Sequence, residues 1–377
     1  MSEPIIEHPG EYRWETRLLA LITGVLTVFG IASMSSATSL QEPGLSLAWR
    51  QLVGALAGAI IMLTVARIDY SIWRRAAWPL MGLTIALLVL SLLPFTKSIT
   101  PVINQARRWV VIGPLSFQTS EMARFTLVIW AAMLAVKKGP EIRNLRRGVI
   151  PFLVIFGLVA LLVLRQPNLS MATMLMLLGS VVLFTAGAKI GQFLFLGAAG
   201  GLVLLRKILD TGYRNERLLA FLNPESSLND AGLQAYQSLV GIGSGGWLGV
   251  GFGEGQQKLN YLPYAYSDFL FSSIGEEWGF VGLAMVVSLF SLFCWVGFRI
   301  ARTAPDPFGQ LVAAGLTASV GLNAVMHMAV SLNLMPTTGL PLPFMSYGRS
   351  NIVVNLLSVG VILSVGRMRG RVPKARR

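Results

Sequence analysis

Charge is scarce in this chain. Only 13% of its 377 residues are Asp, Glu, Lys or Arg, 54% are hydrophobic, and the mean hydropathy is +0.64. A soluble domain carries about 25% charged residues, so a soluble globular protein is excluded and a chain that crosses a membrane many times is expected. Cysteine is reduced to Cys294, inside an apolar run, which excludes an intramolecular disulfide and a Cys-based zinc site. Histidine is reduced to His8 and His327, which argues against a His-built metal centre. No cofactor is therefore assigned, and only a divalent cation is left open. Acidic residues are the scarcer sign, 17 against 31 Lys and Arg, for a net charge of +14.

What fills the chain instead is apolar runs of about 20 residues, the length that crosses a hydrocarbon core of about 30 Å. Ten are predicted, near 17–36, 48–66, 77–94, 119–136, 150–164, 170–187, 190–206, 271–298, 308–334 and 350–367. The expected fold class is an all-α polytopic membrane protein of about ten transmembrane helices, forming one domain over 1–377. A large extracytoplasmic loop, 207–270, would lie between helices 7 and 8, and a basic cytoplasmic tail over 368–377. No cleavable signal peptide is expected, because about fifteen polar residues precede the first run and that run is too long for a signal core. Ten spans put both termini on one side. Assigning that side to the cytoplasm places nineteen of the 31 cations there, notably Lys137 to Arg147 and the tail from Arg367. The charge excess thus follows topology and does not point to nucleic acid; the tail reads as a topology anchor touching anionic lipid. No internal repeat is evident, which counts against inverted-repeat transporter folds.

Polar chemistry in such a protein must lie where water reaches it. Residues 207–277 hold eight of the seventeen acidic residues. Within them, Gly241 to Gly255 carries eight glycines without the Gly-Lys-Ser/Thr ending of a P-loop. Such glycines allow close backbone approach to a ligand or helix, or simply a flexible loop. Asp268 follows, four residues before Ser272, at the entry to a span and flanked by aromatics. Desolvation there would raise a carboxylate towards the range of a general base; the other reading is a helix N-cap. Glu276 and Glu277, two turns further on, are additional candidates. The run Met335 to Ser350 has three prolines and two glycines and cannot be helix throughout. It is expected to be extended or re-entrant and to share the outer face with segment 95–118 and the Arg165-Gln166-Pro167-Asn168 turn. Arg107, Arg108, Lys258 and Arg349 are cations on that face, against the topology bias. With Trp109 and Ser346 they are candidates for holding an anionic, phosphate-bearing ligand. Glu121 and Arg124, three apart in an apolar helix, share a face and are expected to pair, either structurally or as cavity lining.

Several spaced motifs in order carry a resemblance: Ala106-Arg107-Arg108-Trp109 with Phe117-Gln118-Thr119-Ser120-Glu121, Gln166-Pro167-Asn168, Gln237-Ser238 through Gly249, Gln257-Lys258-Leu259 to Asp268-Phe269, Gly275-Glu276-Glu277, and Pro336 to Ser350. Over essentially its whole length the chain resembles the SEDS family (shape, elongation, division and sporulation), which includes FtsW, RodA and SpoVE. The resemblance implies ten helices with a large outer loop and a peptidoglycan glycosyltransferase that polymerises lipid II, in cell division or cell-shape maintenance. It implies a class B penicillin-binding protein, a transpeptidase, as partner, alongside other divisome or elongasome membrane proteins. The family's essential loop aspartate falls on Asp268 and its helix-four ion pair on Glu121 and Arg124. Asp268 would help deprotonate the GlcNAc 4-hydroxyl that attacks the anomeric carbon of the lipid-linked chain. Arg107, Arg108 and Lys258 would stabilise the departing diphosphate. The chain departs from the family where Tyr264, Tyr266 and Ser267 replace Glu, His and Thr before the aspartate. Asn168 likewise replaces Asp, and Gly348-Arg349-Ser350-Asn351 replaces Gly-Gly-Ser-Ser. Ser35 to Ser39 and Gln257 to Pro263 look closer to FtsW or SpoVE than to RodA. The rival readings are a lipid II flippase and a non-catalytic scaffold for a transpeptidase.

Overall fold

The computed structural model describes residues 13–39, 44–96, 98–102, 106–113, 115–192, 201, 221 and 230–368. Among these are ten α-helices, nine on the apolar runs and α7 in the outer loop: α1 Trp14–Ala37, α2 Gly44–Arg67, α3 Ser71–Leu90, α4 Thr119–Lys138, α5 Ile150–Arg165, α6 Leu169–Thr185, α7 Asp230–Ser244, α8 Leu270–Arg302, α9 Pro307–Ser331 and α10 Arg349–Arg367. Nine of the ten predicted runs thus lie on helices, and the tenth, 190–206, begins helically and passes outside the described residues. Eight described helical segments are long and apolar enough to cross a membrane, and α6 is a shorter apolar helix. Local chemistry sets the ends. Asp306 accepts the Gly309 N–H at 3.1 Å and Pro307 follows at the first helical position, so α9 starts there. Asn168, the residue that departs from the family, caps α6 through the Met171 N–H at 3.2 Å.

The layers follow from how completely each helix is covered by its neighbours. In α4 and α9, 89% of the apolar window is buried, and in α10 83%, against 22–39% for α1, α2, α3, α5 and α8. The first three are therefore central and the others wrap them, α1, α5 and α8 being the more apolar of the set. α10 lies along α2, α4 along α3, and α9 against α4, α6, α8 and α10. Trp130, on central α4, is fully buried in an edge-to-face stack with Trp78, Phe152 and Phe156, joining α3, α4 and α5.

Two elements depart from expectation. Segment 95–118 closes into an antiparallel hairpin, β1 Trp109–Ile112 and β2 Leu115–Gln118, running straight into α4. The outer loop, in its described part, contains α7, whose Ala235 and Ser238 are buried while Tyr236, Leu239 and Val240 are exposed. Ser238 donates to Ser331 O at 2.7 Å and accepts, through its own carbonyl, from Ser272 Oγ at 2.7 Å, so α7 lies along α8 and α9.

The glycine-rich stretch after α7 is a docked turn, not a flexible loop. Gly279 breaks α8 with φ +62° and ψ −160°. The Glu276 and Glu277 carbonyls then accept from Val250 and Gly251 N–H at 2.9 and 3.2 Å, while Phe280 and Val281 N–H donate to Gly246 and Trp247 O at 2.9 and 3.2 Å. Two interrupted helical bonds are replaced by four bonds to the turn. Backbone meets backbone so closely that a Cβ on Gly249 would lie 2.1 Å from Glu277 O, and one on Gly279 2.4 Å from Gly249 N. Only glycine fits either position.

Candidate active site

Asp268 sits in the connection from a wide helical turn, Gln257–Tyr261, to α8. Leu262, Ala265 and Phe269 are buried together with Val330 and pin this connection from below. Tyr264 takes a left-handed φ of +59°, and its carbonyl accepts the Ser267 and Asp268 N–H at 3.0 Å each. The backbone is thereby folded so that Asp268 is half-buried. The helix N-cap position is Phe269, and no side chain caps α8 there, so Asp268 is not the N-cap.

A second segment forms the wall facing it. Gly339 lies against the carboxylate, a Cβ on it being only 3.6 Å from Asp268 Oδ2. Tyr347 N–H donates to Tyr266 O at 3.0 Å and the two rings pack edge to face at 5.8 Å. Burial, and then the neighbouring Tyr264, Tyr347 and Asp268, push the Tyr266 hydroxyl above its usual value of 10.0. It stays protonated at neutral pH, a neutral donor close to Asp268. The proline-rich segment pairs its own backbone only in the turn from Leu342 to Ser346, and three buried polar side chains hold other peptide groups of it. Gln51 of α2 donates to Ser346 O at 3.0 Å and accepts from Gly348 N at 3.1 Å. Asn323 donates to Pro341 O at 3.1 Å, and His327 Nδ1 lies 2.8 Å from Leu340 O. Sequence reasoning passed over Gln51, Asn323 and His327 as site-building residues; their signal was a polar side chain within an apolar helix. Ser346, proposed to bind substrate, is 1% exposed and its hydroxyl accepts from Leu342 N at 3.0 Å, so it braces the turn.

The remaining candidates occupy three places. Arg107 donates to Thr100 O at 3.1 Å and to the Thr96 and Thr100 hydroxyls at 3.0 and 2.6 Å. Arg108 donates to the Gln166 carbonyl at 2.8 Å and to that of Pro167, joining the hairpin to the α5–α6 turn. Trp109 begins β1, paired with Gln118. Arg349 donates to Ser116 Oγ at 2.7 Å, and Ser350 Oγ accepts from Gln118 N at 2.9 Å. The altered Arg349-Ser350 pair thus ties α10 to β2. Lys258 donates to the Gly253 carbonyl within the docked turn. Glu276 accepts from Gln256 N at 2.7 Å, and Glu277 from Ser36 Oγ; both glutamates are at most 5% exposed and fasten the turn to α8 and α1. Arg107, Arg108 and Lys258 therefore bond to three separate backbone stretches.

Glu121 and Arg124 pair at 2.9 Å, as expected. Asn351 Nδ2 donates to Glu121 Oε1 at 3.1 Å, Arg124 Nη2 to Asn355 Oδ1 at 2.9 Å, and Asn355 Nδ2 to Asn351 Oδ1 at 2.8 Å. The four close a buried ring between α4 and α10. Among the described residues, no three His, Cys, Asp or Glu side chains gather as a metal cage.

A sequence profile of the FtsW, RodA and SpoVE family, described as cell cycle protein, matches residues 13–370. The probable peptidoglycan glycosyltransferase FtsW of Trichlorobacter lovleyi is 37% identical over 353 residues, covering 92% of each chain. The stage V sporulation protein E of Bacillus subtilis is 36% identical over 355 residues, covering 93% of this chain and 96% of that one. Among solved structures, a protein of a peptidoglycan synthase complex that coordinates polymerization and crosslinking superposes with a TM-score of 0.80 at 28% identity, over 95% of this chain and 98% of the other. The rod shape determining protein RodA of Thermus thermophilus superposes with a TM-score of 0.69 at 27% identity, over 95% and 97%. With its profile match, its architecture and higher identity to the FtsW and SpoVE relatives than to RodA, this multi-pass membrane protein belongs to the FtsW, RodA and SpoVE family of cell cycle proteins.

Proposed function

We propose that this protein is a peptidoglycan glycosyltransferase that polymerises lipid II at the outer face of the cytoplasmic membrane, with Asp268 as its general base. The observation that carries the assignment is the placement of Asp268: half-buried at the mouth of α8, its carboxylate against Gly339 of the opposite wall, with a protonated Tyr266 close by. Named relatives over more than nine-tenths of the chain support the activity. In the reaction, Asp268 takes the proton of the GlcNAc 4-hydroxyl of one lipid II. That oxygen forms a bond to the anomeric carbon of the lipid-linked strand. The bond from that carbon to the diphosphate breaks with inversion, and undecaprenyl pyrophosphate leaves with the electron pair. Tyr266, held neutral, keeps the base free of a second negative charge. Arg107, Arg108, Lys258 and Arg349 supply positive potential on the same face, braced by loop and hairpin groups so that their charge is held in place.

The chain works with a class B penicillin-binding protein, in keeping with its similarity to a member of a synthase complex. Its termini lie in the cytoplasm and the Asp268 face outside, by the cation count.

The test is polymerisation of lipid II by purified protein with its transpeptidase in detergent, where a flippase has no sides to work between. Wild type makes glycan strands, and Asp268→Ala loses about 100-fold or more of the rate. Strand synthesis by Asp268→Ala at the wild-type rate, or none by wild type, overturns the assignment in favour of a scaffold or a flippase.

A further inference from the structure

We propose that His327 and Asn323 are positioning residues for Asp268, acting through the backbone of the proline-rich wall; this rests on the reading of Asp268 as the base. Both sit on α9, four residues apart and so on one face, and both are at most 1% exposed. The Leu340 carbonyl can only accept, so the His327 ring carries its proton on Nδ1 and donates at 2.8 Å. Asn323 Nδ2 donates to the next carbonyl, Pro341 O, at 3.1 Å. Two successive peptide groups are thus held by two successive turns of a central helix.

The place they hold is the place that matters. Gly339 immediately precedes Leu340, has φ +66°, and lies against Asp268 Oδ2. Pro336, Pro341 and Pro343 deny this segment a regular ladder, and its internal backbone bonds, from Met345 and Ser346 N to Leu342 O, lie beyond Pro341. The far end is tied to the Asp268 connection by Tyr347 N–H on Tyr266 O. The wall is therefore clamped at two points after Gly339, at Leu340-Pro341 to α9 and at Tyr347 to the loop. His327 and Asn323 bond to carbonyls of the wall, and their effect passes through it. A misplacement of about 1 Å at a catalytic group costs on the order of 100-fold in rate. Loss of the clamp accordingly falls on kcat, not on substrate capture.

The experiment measures steady-state lipid II polymerisation by the full chain with its transpeptidase, for wild type, His327→Ala, His327→Asn, Asn323→Ala and Asp268→Ala. His327→Ala and Asn323→Ala are each expected to lower kcat by about 10- to 100-fold with KM within about twofold. His327→Asn, which keeps an N–H donor near the Nδ1 position, should recover most of the rate. A His327→Ala that keeps wild-type kcat, or raises KM alone, overturns the proposal, as does failure of His327→Asn to recover when it folds normally. Where His327→Ala does not purify as folded protein, Asn323→Ala decides by the same criteria. An active Asp268→Ala removes the reading of the site and this inference with it. An inactive Asp268→Ala beside a fully active His327→Ala removes this inference alone.

Discussion

Glu121 and Arg124 show what a charge needs in order to sit within a central helix. Each is about 1% exposed, and an ion taken from water into such a place costs several kcal/mol. The ring with Asn351 and Asn355 offsets that cost by giving each charge an amide partner on α10 as well as its counter-ion. Replacing Glu121 by Gln leaves Arg124 buried without its counter-ion and should destabilise the protein by about 3–5 kcal/mol. Changing the pair together, to Glu121→Leu with Arg124→Met, should recover much of that loss. Thermal unfolding in detergent checks both, and a Glu121→Gln protein that melts with wild type refutes the ring's role. The pair itself was legible, since spacing alone put both charges on one face. The two asparagines were not, because they lie some 230 residues away and nothing local in the sequence relates them to Glu121. Asp268 was legible in the same partial way: its position at a span entry marked it, while Gly339 and Tyr347, which complete its surroundings, belong to another segment.

At the scale of elements, apolar length told the helices apart and capping residues told where some begin, but interruptions were hidden. Gly279 lies in a run that reads as one uninterrupted span, and its break exists only because the turn after α7 supplies the missing partners. The hairpin 109–118 was equally hidden, four-residue strands being too short for a period to register. Gly249→Ala or Gly279→Ala would place a Cβ into backbone and force a left-handed φ on a non-glycine residue. Each should cost about 3 kcal/mol or more, seen as a lowered melting temperature. Gly243→Ala, in α7 with open space around it, should melt within a few degrees of wild type. Equal effects at all three positions contradict the docking of the turn.

Among the described residues, two aromatic clusters on α8 and its neighbours are placed as membrane-interface belts are. At one end Arg299 lies over the rings of Trp14 and Trp295, 4.9 and 5.7 Å from their centroids, and pairs with Glu15. At the other, Phe29 and Phe252 pack on Trp278, and Trp247 on Phe280. Trp278 and Trp295 are 17 residues apart, about 25 Å along a helix, close to the hydrocarbon thickness that such belts flank. The part of α8 before Gly279, Leu270 to Trp278, is about 13 Å of helix; it leads from the outer belt to the connection that carries Asp268. The orientation is tested in a Cys294→Ser background, which removes the single native thiol. A membrane-impermeant maleimide on spheroplasts should label Glu254→Cys and spare Lys137→Cys, both exposed positions. Labelling in the opposite pattern inverts the topology.

The broken helix also dictates an order of events during synthesis. The turn over 246–251 leaves the ribosome before α8 does, yet four of its peptide groups find their partners on α8. A straight α8 can close its own two bonds across Gly279; the bent one trades them for four. Those four groups therefore wait for α8 to follow them out of the ribosome before the bent form can close.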